Sequence, residues 1–358
     1  MKIGNVSLSS PLVVAPMAGM TDSAFRRLVK RQGGCGLVVT EMVSSEGLVR
    51  GIDRTLEYAE NTEEERPVSI QIFGGDPEKM ADAAQIVEGM GADIVDVNMG
   101  CPVPKIAKHH AGCSLMREPE HAAKVIGAMA KAVKIPVTVK MRAGWSDASR
   151  NAPELARMVQ DAGAAAVTIH GRTAEQSYRG SADWTLVSQV AASLNVPVFG
   201  SGDCVEPEQI VDKLAEGVGG VLVGRGVLRN PWILAQASDL LAGRSPRQIS
   251  MADRGAFLLQ YIDLLRRDGD GDATGFRHTA PGVPTTGDQY AGSPARGRDR
   301  WVVNKIRALI AWYSKGIEGG AEFRSKINTT DNVADLIALI GSTFGAEAYA
   351  SGAGVIHR

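Results

Sequence analysis

Aromatic residues are scarce, paired cysteines are missing, and neither sign of charge predominates. Each shortage removes a class of protein. With hydrophobic residues at 44% but aromatics at 5%, the core must be built mainly from aliphatic side chains. The formal net charge is −1, so no overall field gathers a polyanion, and nucleic-acid contact would need a local basic patch. The four cysteines (Cys35, Cys101, Cys113 and Cys204) form no C-x-x-C pair and no zinc spacing. That argues for reduced thiols rather than a disulfide framework, and no metal is expected. Met1–Ser10 has neither the basic start nor the apolar core of a signal peptide. No apolar run reaches the ~18 residues that span a bilayer. The expectation is a soluble cytoplasmic enzyme.

Glycine, by contrast, is abundant at 41 residues, as a chain of many tight strand-to-helix turns requires. Short apolar strands are predicted at Leu12–Pro16, Gly36–Glu41, Val68–Phe73, Asp93–Asn98, Val137–Arg142, Ala165–His170, Val198–Ser201 and Gly220–Val223. Helical periodicity fills the gaps at Pro77–Gly89, Pro119–Val133, Asn151–Ala162 and Glu206–Glu216. Asp76-Pro77 and Glu206-Pro207 pair a capping residue with proline at the first helical position. Eight β–α repeats in a row predict an α/β fold, a (β/α)8 TIM barrel. A doubly wound sheet would want G-x-G-x-x-G after its first strand, where this chain reads Ala15-Pro16-Met17-Ala18-Gly19-Met20. After Asn230-Pro231-Trp232 the strands cease, and Ala252–Arg267, Val302–Ser314 and Asn332–Ser342 read as helices. The expected division is a barrel over residues 1–240 and a small helical domain over 241–358. A flexible insertion, Asp268–Arg300, interrupts the helices, and Ala350–Arg358 is expected to fray.

In such a barrel, chemistry gathers where the strands end. Asp96-Val97-Asn98-Met99-Gly100-Cys101-Pro102 follows the buried-strand pattern Asp93-Ile94-Val95. It sets a thiol at a strand's carboxyl end, with Pro102 fixing the turn. A thiol there can pass a proton or act as a nucleophile. A buried structural thiol is the ordinary alternative, but the neighbours oppose it. Strand one ends in Ala15-Pro16-Met17, strand three offers Gln71, and strand five ends Lys140-Met141-Arg142. Strand six ends His170-Gly171-Arg172, strand seven Gly200-Ser201-Gly202-Asp203, and strand eight Gly224-Arg225-Gly226. So many polar strand ends are costly for stability alone. Glycine turns after strands seven and eight expose N–H groups where barrels hold phosphate, and Arg225 can add a charge-assisted bond. Lys140 and His170 can supply a proton or positive charge to a flavin ring or an enolate oxygen. Gln71 can read a ring edge that both donates and accepts.

Several motifs together resemble the tRNA-dihydrouridine synthase family, nearest its bacterial B-type members. They are Ala15-Pro16-Met17-Ala18-Gly19 with Thr21-Asp22, Asn98-Met99-Gly100-Cys101-Pro102, Lys140-Met141-Arg142, His170-Gly171-Arg172, Gly202-Asp203, and Gly224-Arg225 with Asn230-Pro231-Trp232. The resemblance runs over nearly the whole chain except the insertion. It implies an FMN enzyme that uses NADPH to reduce the C5–C6 bond of particular uridines in tRNA. By the same resemblance Ala15, Pro16, Met17 and Gln71 would line the isoalloxazine, with Lys140 and His170 close to the ring. Ser201, Gly202, Asp203, Gly224 and Arg225 would hold the ribityl phosphate. Cys101 would protonate uracil C5 after N5 of the reduced flavin delivers hydride to C6, and Asn98 would orient the base. The uridine would have to leave its stack to arrive there. A monomer with no obligate protein partner is expected.

From Arg296 to Lys326 eight basic residues face three acidic ones. Lys305, Arg307, Lys315 and Arg324 are the candidate RNA contacts of this stretch, with Trp301, Trp312 and Tyr313 either stacking on bases or packing in a core. A second basic loop, Lys105 and Lys108-His109-His110, follows Cys101, and Arg142 and Arg172 stand at neighbouring strand ends. The His109-His110 pair has no partners at metal spacing. Three departures from the B-type pattern are evident: Ser201 where Asn is usual, Ala308-Leu309 where Lys-His is usual, and the insertion. Two rival readings remain. A small-molecule flavin reductase of the dihydroorotate dehydrogenase type would act on a free pyrimidine. A tRNA-binding protein with a vestigial flavin would be indifferent to Cys101→Ala.

Overall fold

A computed structural model describes residues 1–103, 106, 110–267 and 295–346. Eight parallel strands close into a barrel: β1 (Leu12–Val14), β2 (Leu37–Val39), β3 (Val68–Phe73), β4 (Ile94–Met99), β5 (Val137–Arg142), β6 (Ala166–His170), β7 (Val198–Ser201) and β8 (Gly220–Val223). Each bonds to the next, and β8 returns to β1 with Val221 opposite Leu12. Every strand expected from the sequence is present; β3, β5, β7 and β8 have the expected ends, and the other four are shifted by one or two residues. The first stops early because Pro16 has no N–H to continue the ladder. The intervening helices start as the sequence suggests. Asp76 accepts from the N–H groups of Glu78 and Lys79 at 3.0 and 3.1 Å, and Glu206 and Gln209 form a capping box.

The barrel interior changes character along its axis. At its amino-terminal end Val13, Leu37, Ile94, Ala166, Phe199 and Leu222 form an apolar plug. A small antiparallel hairpin, Lys2–Ile3 with Val6–Ser7, adds Ile3 and Leu8 to that plug. The sequence gives little warning of it, because two-residue strands carry no periodicity. Side chains alternate across a strand, so the inward positions further along are Ser69, Asp96, Thr138 and Thr168, and then Gln71, Asn98, Lys140, His170 and Ser201. A cavity of about 20 Å³ lies at the polar boundary, between Phe199, Ser69, Asp96, Thr138 and Thr168. Ser69 Oγ has no hydrogen-bond partner among the described residues. Outward-facing Val95, Val97, Met99, Val139 and Met141 pack under the helices. Each such side chain, fully buried, contributes roughly 1.5–3 kcal/mol.

The carboxyl-terminal helices are Met251–Arg267, Ala295–Tyr313, Gly320–Thr329 and Val333–Phe344. The sparse aromatics concentrate where these meet the barrel. Phe25, on the Ser23–Gln32 helix, lies edge-on to Phe257 and Tyr261 at 6.2 and 6.0 Å. Phe257 stacks on Tyr313 at 5.9 Å, and Tyr313 packs against Phe344. Tyr313 is therefore core, whereas Trp301 remains exposed. The Ala295–Tyr313 helix begins inside the stretch expected to be insertion, so 295–300 are helical rather than flexible. The buried stripe of Val302, Val303, Ile306 and Leu309 nucleates a helix that propagates back through polar residues. The rest of the expected insertion, 268–294, and the terminal stretch 350–358 lie outside the described residues. The Gly320–Thr329 helix was not expected from the sequence; its buried positions are few, Phe323 and Ile327 among them.

Candidate active site

The carboxyl-terminal mouth of the barrel gathers the strand-end residues into one connected site. Asn98 Oδ1 accepts the backbone N–H groups of Gly100 and Cys101 at 3.1 and 2.9 Å, which pins the turn after β4. Asn98 Nδ2 donates to Gln71 Oε1 at 2.7 Å. Cys101 is half-buried, while Cys35, Cys113 and Cys204 are buried. Burial pushes the Cys35 and Cys113 thiols up to about 11 and the Cys204 thiol up to about 12, so none of the three is a ready nucleophile.

Lys140 and His170 stand on adjacent strands beside this turn, Lys140 opposite Asn98 and His170 opposite Ser201. Burial, reinforced by Arg142, pulls the Lys140 ammonium down to about 8; Asp96 and Cys101 oppose that pull. Burial and then the cations Lys140, Arg142 and Arg172 hold His170 far below its usual range, so its ring is neutral at physiological pH. One cation that can release a proton thus stands near one neutral imidazole.

The two strand-end arginines are not on the surface. Arg142, 4% exposed, donates from Nε to Gly100 O at 2.7 Å and from Nη1 to Thr173 O and Ser177 O at 3.0 and 3.1 Å. Arg172, 3% exposed, grips both oxygens of Asp203 at 2.7 and 2.9 Å and donates to Gly180 O and Arg179 O. Both of these expected RNA contacts are thus buried, with their guanidinium groups holding backbone carbonyls of the loops after β4 and β6.

After β7 the backbone takes positive φ at Gly202 (126°) and Asp203 (58°), a turn of the kind that presents successive N–H groups to an anion. A Cβ on Gly202 would fall 2.6 Å from the Ala182 methyl, so glycine is needed for space as well as for φ. Arg225, after β8, lies 3.7 Å from Asp203, with its guanidinium 4.8 Å from the Tyr178 ring centroid. Asp203 also accepts Ala182 N–H at 2.7 Å, so it orients Arg225 and the 172–183 loop. Ser201 is buried beside His170, and Gly224 faces Met17 and Ala15. Ala15 bonds back to Val223, Pro16 ends the strand, and Thr21 Oγ1 accepts from Met17 N–H at 3.1 Å. The whole expected cofactor set thus lies around one mouth.

The expected RNA residues of the helical region divide. Lys305 turns inward, 3.0 Å from Asp22 and 3.7 Å from Glu41, and Arg307 grips Ile327 O, Asn328 O and Thr330 O at the end of the Gly320–Thr329 helix. Both side chains are thus engaged within the protein and only partly exposed. Lys315 is exposed and sits 4.1 Å over the Trp312 ring, and Arg324 is half-buried, donating to Ser314 Oγ. Of the departures, Ala308 is exposed and Leu309 is core. Lys105, Lys108 and His109 lie outside the described residues. Among the described residues no cluster of His, Cys, Asp and Glu could hold a metal, and no helix is long and apolar enough to cross a membrane.

Sequence reasoning missed Asp96, Thr138, Glu41 and Tyr178. The available signal was polarity at alternate positions of otherwise apolar strands, Asp96 with Asn98 and Thr138 with Lys140.

The dihydrouridine synthase family model matches residues 13–281. The chain belongs to that family. A probable tRNA-dihydrouridine synthase of Rickettsia conorii is 37% identical over 330 residues, 91% of each chain. The tRNA-dihydrouridine synthase B of Xanthomonas axonopodis pv. citri is 35% identical over 348 residues, 97% of this chain and 96% of that one. A probable tRNA-dihydrouridine synthase of Rhodobacter capsulatus is 41% identical over 267 residues, 74% and 82% of the two chains. Among solved structures, morphinone reductase superposes with a TM-score of 0.49 at 12% identity, covering 69% of this chain and 90% of that one.

Proposed function

We propose that this protein is a cytoplasmic FMN enzyme that uses NADPH to reduce the C5–C6 bond of particular uridines in tRNA. The observation that carries the reading is the placement of Cys101. It is the half-buried thiol, held by Asn98 on a pinned turn, at the mouth where Lys140 and His170 converge.

The residues fit FMN. The Gly202-Asp203 turn and Arg225 suit a phosphate. Gln71 keeps one N–H and one lone pair beyond its bonds to Asp96 and Asn98, enough to read a polar ring edge. Ala15, Pro16 and Met17 supply an apolar wall. Lys140, cationic below pH ~8, suits the electron-rich side of the ring. When bound, the reduced flavin supplies hydride for C6 of the uracil.

Addition at C6 leaves negative charge delocalised over C5 and the adjoining carbonyl of the base. The thiol of Cys101 gives its proton to C5 and neutralises that charge. Arg142 holds Gly100 O on the other side of the turn, so the backbone that carries Cys101 is tied from both sides. The base must be extruded to enter, which the family relationship and the exposed Lys315–Trp312 pair both favour.

The test is to incubate purified protein with NADPH and unmodified tRNA and to quantify dihydrouridine by nucleoside mass spectrometry. The wild type should form it, and Cys101→Ala should be slower by at least about 10²-fold. No product from a wild type with bound, reducible flavin would overturn the tRNA reading in favour of a free pyrimidine. Full activity in Cys101→Ala would remove the assigned acid.

A further inference from the structure

Asp96 is an acid in the middle of a barrel strand, 5% exposed, and the proposed reaction gives it no task. Burying a carboxyl group is costly unless it is given partners. A valine or leucine would suit the barrel wall at far less cost. Its partners lead in one direction. Thr138 Oγ1 donates to Asp96 Oδ1 at 2.6 Å and Gln71 Nε2 donates to Oδ2 at 2.7 Å. Gln71 Oε1 accepts from Asn98, and Asn98 Oδ1 accepts from Gly100 and Cys101. One unbroken chain of hydrogen bonds therefore runs from the barrel core to the backbone of the cysteine.

The sense of each bond is set by the one before it. An acceptor at position 96 calls the Gln71 amide N–H₂ toward the core. That leaves the Gln71 carbonyl facing Asn98, which must answer with its own N–H₂. Asn98 Oδ1 is then aimed at the two backbone N–H groups of the Cys101 turn. Were both amides reversed, Asn98 would confront those N–H groups with further donors, and the turn would lose both bonds.

We propose that Asp96 is a positioning residue: acting through Gln71 and Asn98, it fixes the turn that carries Cys101 and so the aim of its proton at the pyrimidine. The assignment of a target rests on the function proposed above; the relay itself does not.

The test pairs two substitutions in the full-length protein. Asp96→Asn can still accept from Gln71 through its carbonyl and donate to Thr138 Oγ1, so the relay keeps its sense. Asp96→Leu removes the acceptor. Amide hydrogen exchange of the peptide containing Gly100 and Cys101 reads the relay directly, with or without flavin. Asp96→Leu should speed that exchange at least tenfold and lower kcat at least tenfold, with KM for tRNA within twofold. Asp96→Asn should keep the exchange within twofold of wild type; its kcat does not test the relay, because losing the carboxylate also removes a charge that acts on Lys140. Unchanged exchange in Asp96→Leu would overturn the proposal, as would an Asp96→Asn protein whose exchange speeds up like that of Asp96→Leu. Should Asp96→Leu not fold, Gln71→Leu cuts the middle of the relay and must show the same faster exchange, or the proposal fails. A wild type that forms no dihydrouridine would sink the proposed function, while the exchange measurement would still decide the relay.

Discussion

Lys305 Nζ lies 3.0 Å from Asp22 Oδ2 and 3.7 Å from Glu41 Oε1, so one ammonium of the Ala295–Tyr313 helix sits between two carboxylates at the barrel mouth. It also donates to Gly19 O at 3.2 Å, and Glu41 accepts Gly19 N–H at 2.5 Å. Burial lowers Lys305, but Asp22 and Glu41 more than offset this and hold it above its ordinary value. Burial pushes Glu41 up despite Lys305 beside it. The helical region is thus tied by charge to the loop that follows β1, next to Met17.

Removing that tie should loosen the docking of the helices. Lys305→Met is expected to lower unfolding free energy by about 1–2 kcal/mol, because the pair is only partly buried. Asp22→Ala should cost more, about 2–4 kcal/mol. Asp22 also caps the Ser23–Gln32 helix through Phe25 N–H at 3.0 Å and accepts from Tyr261 OH at 2.7 Å. Urea unfolding of both variants checks the order. A Lys305→Met protein as stable as wild type would show that the ion pair does not dock the helices.

With Lys140 at the flavin as proposed, FMN affinity should depend on pH. Its ammonium is pulled down to about 8 by burial and Arg142, so it is charged below that pH and neutral above it. A hydrogen bond from a charged group is worth about 1.5–3 kcal/mol. FMN binding to apoprotein should therefore weaken about tenfold as pH rises from 7 to 9.5. Lys140→Arg should stay flat over that range. His170, held neutral, should add no second inflection near pH 6.5. Flavin fluorescence titrations across the range measure this, and a flat wild-type profile would remove Lys140 from the ring.

The sequence shows the barrel because the outward face of each strand is apolar, as at Val95, Val97 and Met99 of β4 and Val137, Val139 and Met141 of β5, and because these short runs alternate with helical stretches. The strand-end chemistry at Asn98, Cys101, Lys140 and His170 was legible for the same reason, since polar groups interrupt those runs. Partners are another matter. Arg142 and Arg172 look in sequence like ligand-facing cations, and only the fold shows that their donors hold Thr173 O and Gly180 O instead. Asp96 finds Gln71 on the neighbouring strand, far away along the chain, and no periodicity links the two. Lys305 reaches Gly19 across nearly the whole sequence, which no local pattern can announce.

The buried arginines should therefore report on stability rather than on RNA. Arg172→Ala strands Gly180 O and the Asp203 carboxylate and should cost about 3 kcal/mol. It should also weaken FMN binding, because Asp203 orients Arg225. The salt dependence of tRNA binding should not change. Thermal unfolding and filter binding over a salt series separate the effects. A shallower salt slope in Arg172→Ala would return that residue to the RNA interface.

The exposed basic residues should behave in the opposite way. Each phosphate neutralised by a cation releases counterions, so tRNA binding should weaken steeply with salt despite the near-zero net charge. Lys315 is exposed, and its ammonium stands over the Trp312 ring, ready to meet a phosphate beside a stacked base. Lys315→Ala should lower affinity several-fold and reduce the slope of log K against log salt by about one, leaving stability within ~0.5 kcal/mol. Arg307→Ala is the contrast. Its guanidinium holds the last carbonyls of the Gly320–Thr329 helix, at 3.1 Å from Ile327 O and 2.7 Å from Thr330 O. Its loss should cost about 1–2 kcal/mol and leave the slope alone. If Lys315→Ala left the slope unchanged and Arg307→Ala reduced it, the RNA-facing side of these helices would have to be redrawn around Arg307.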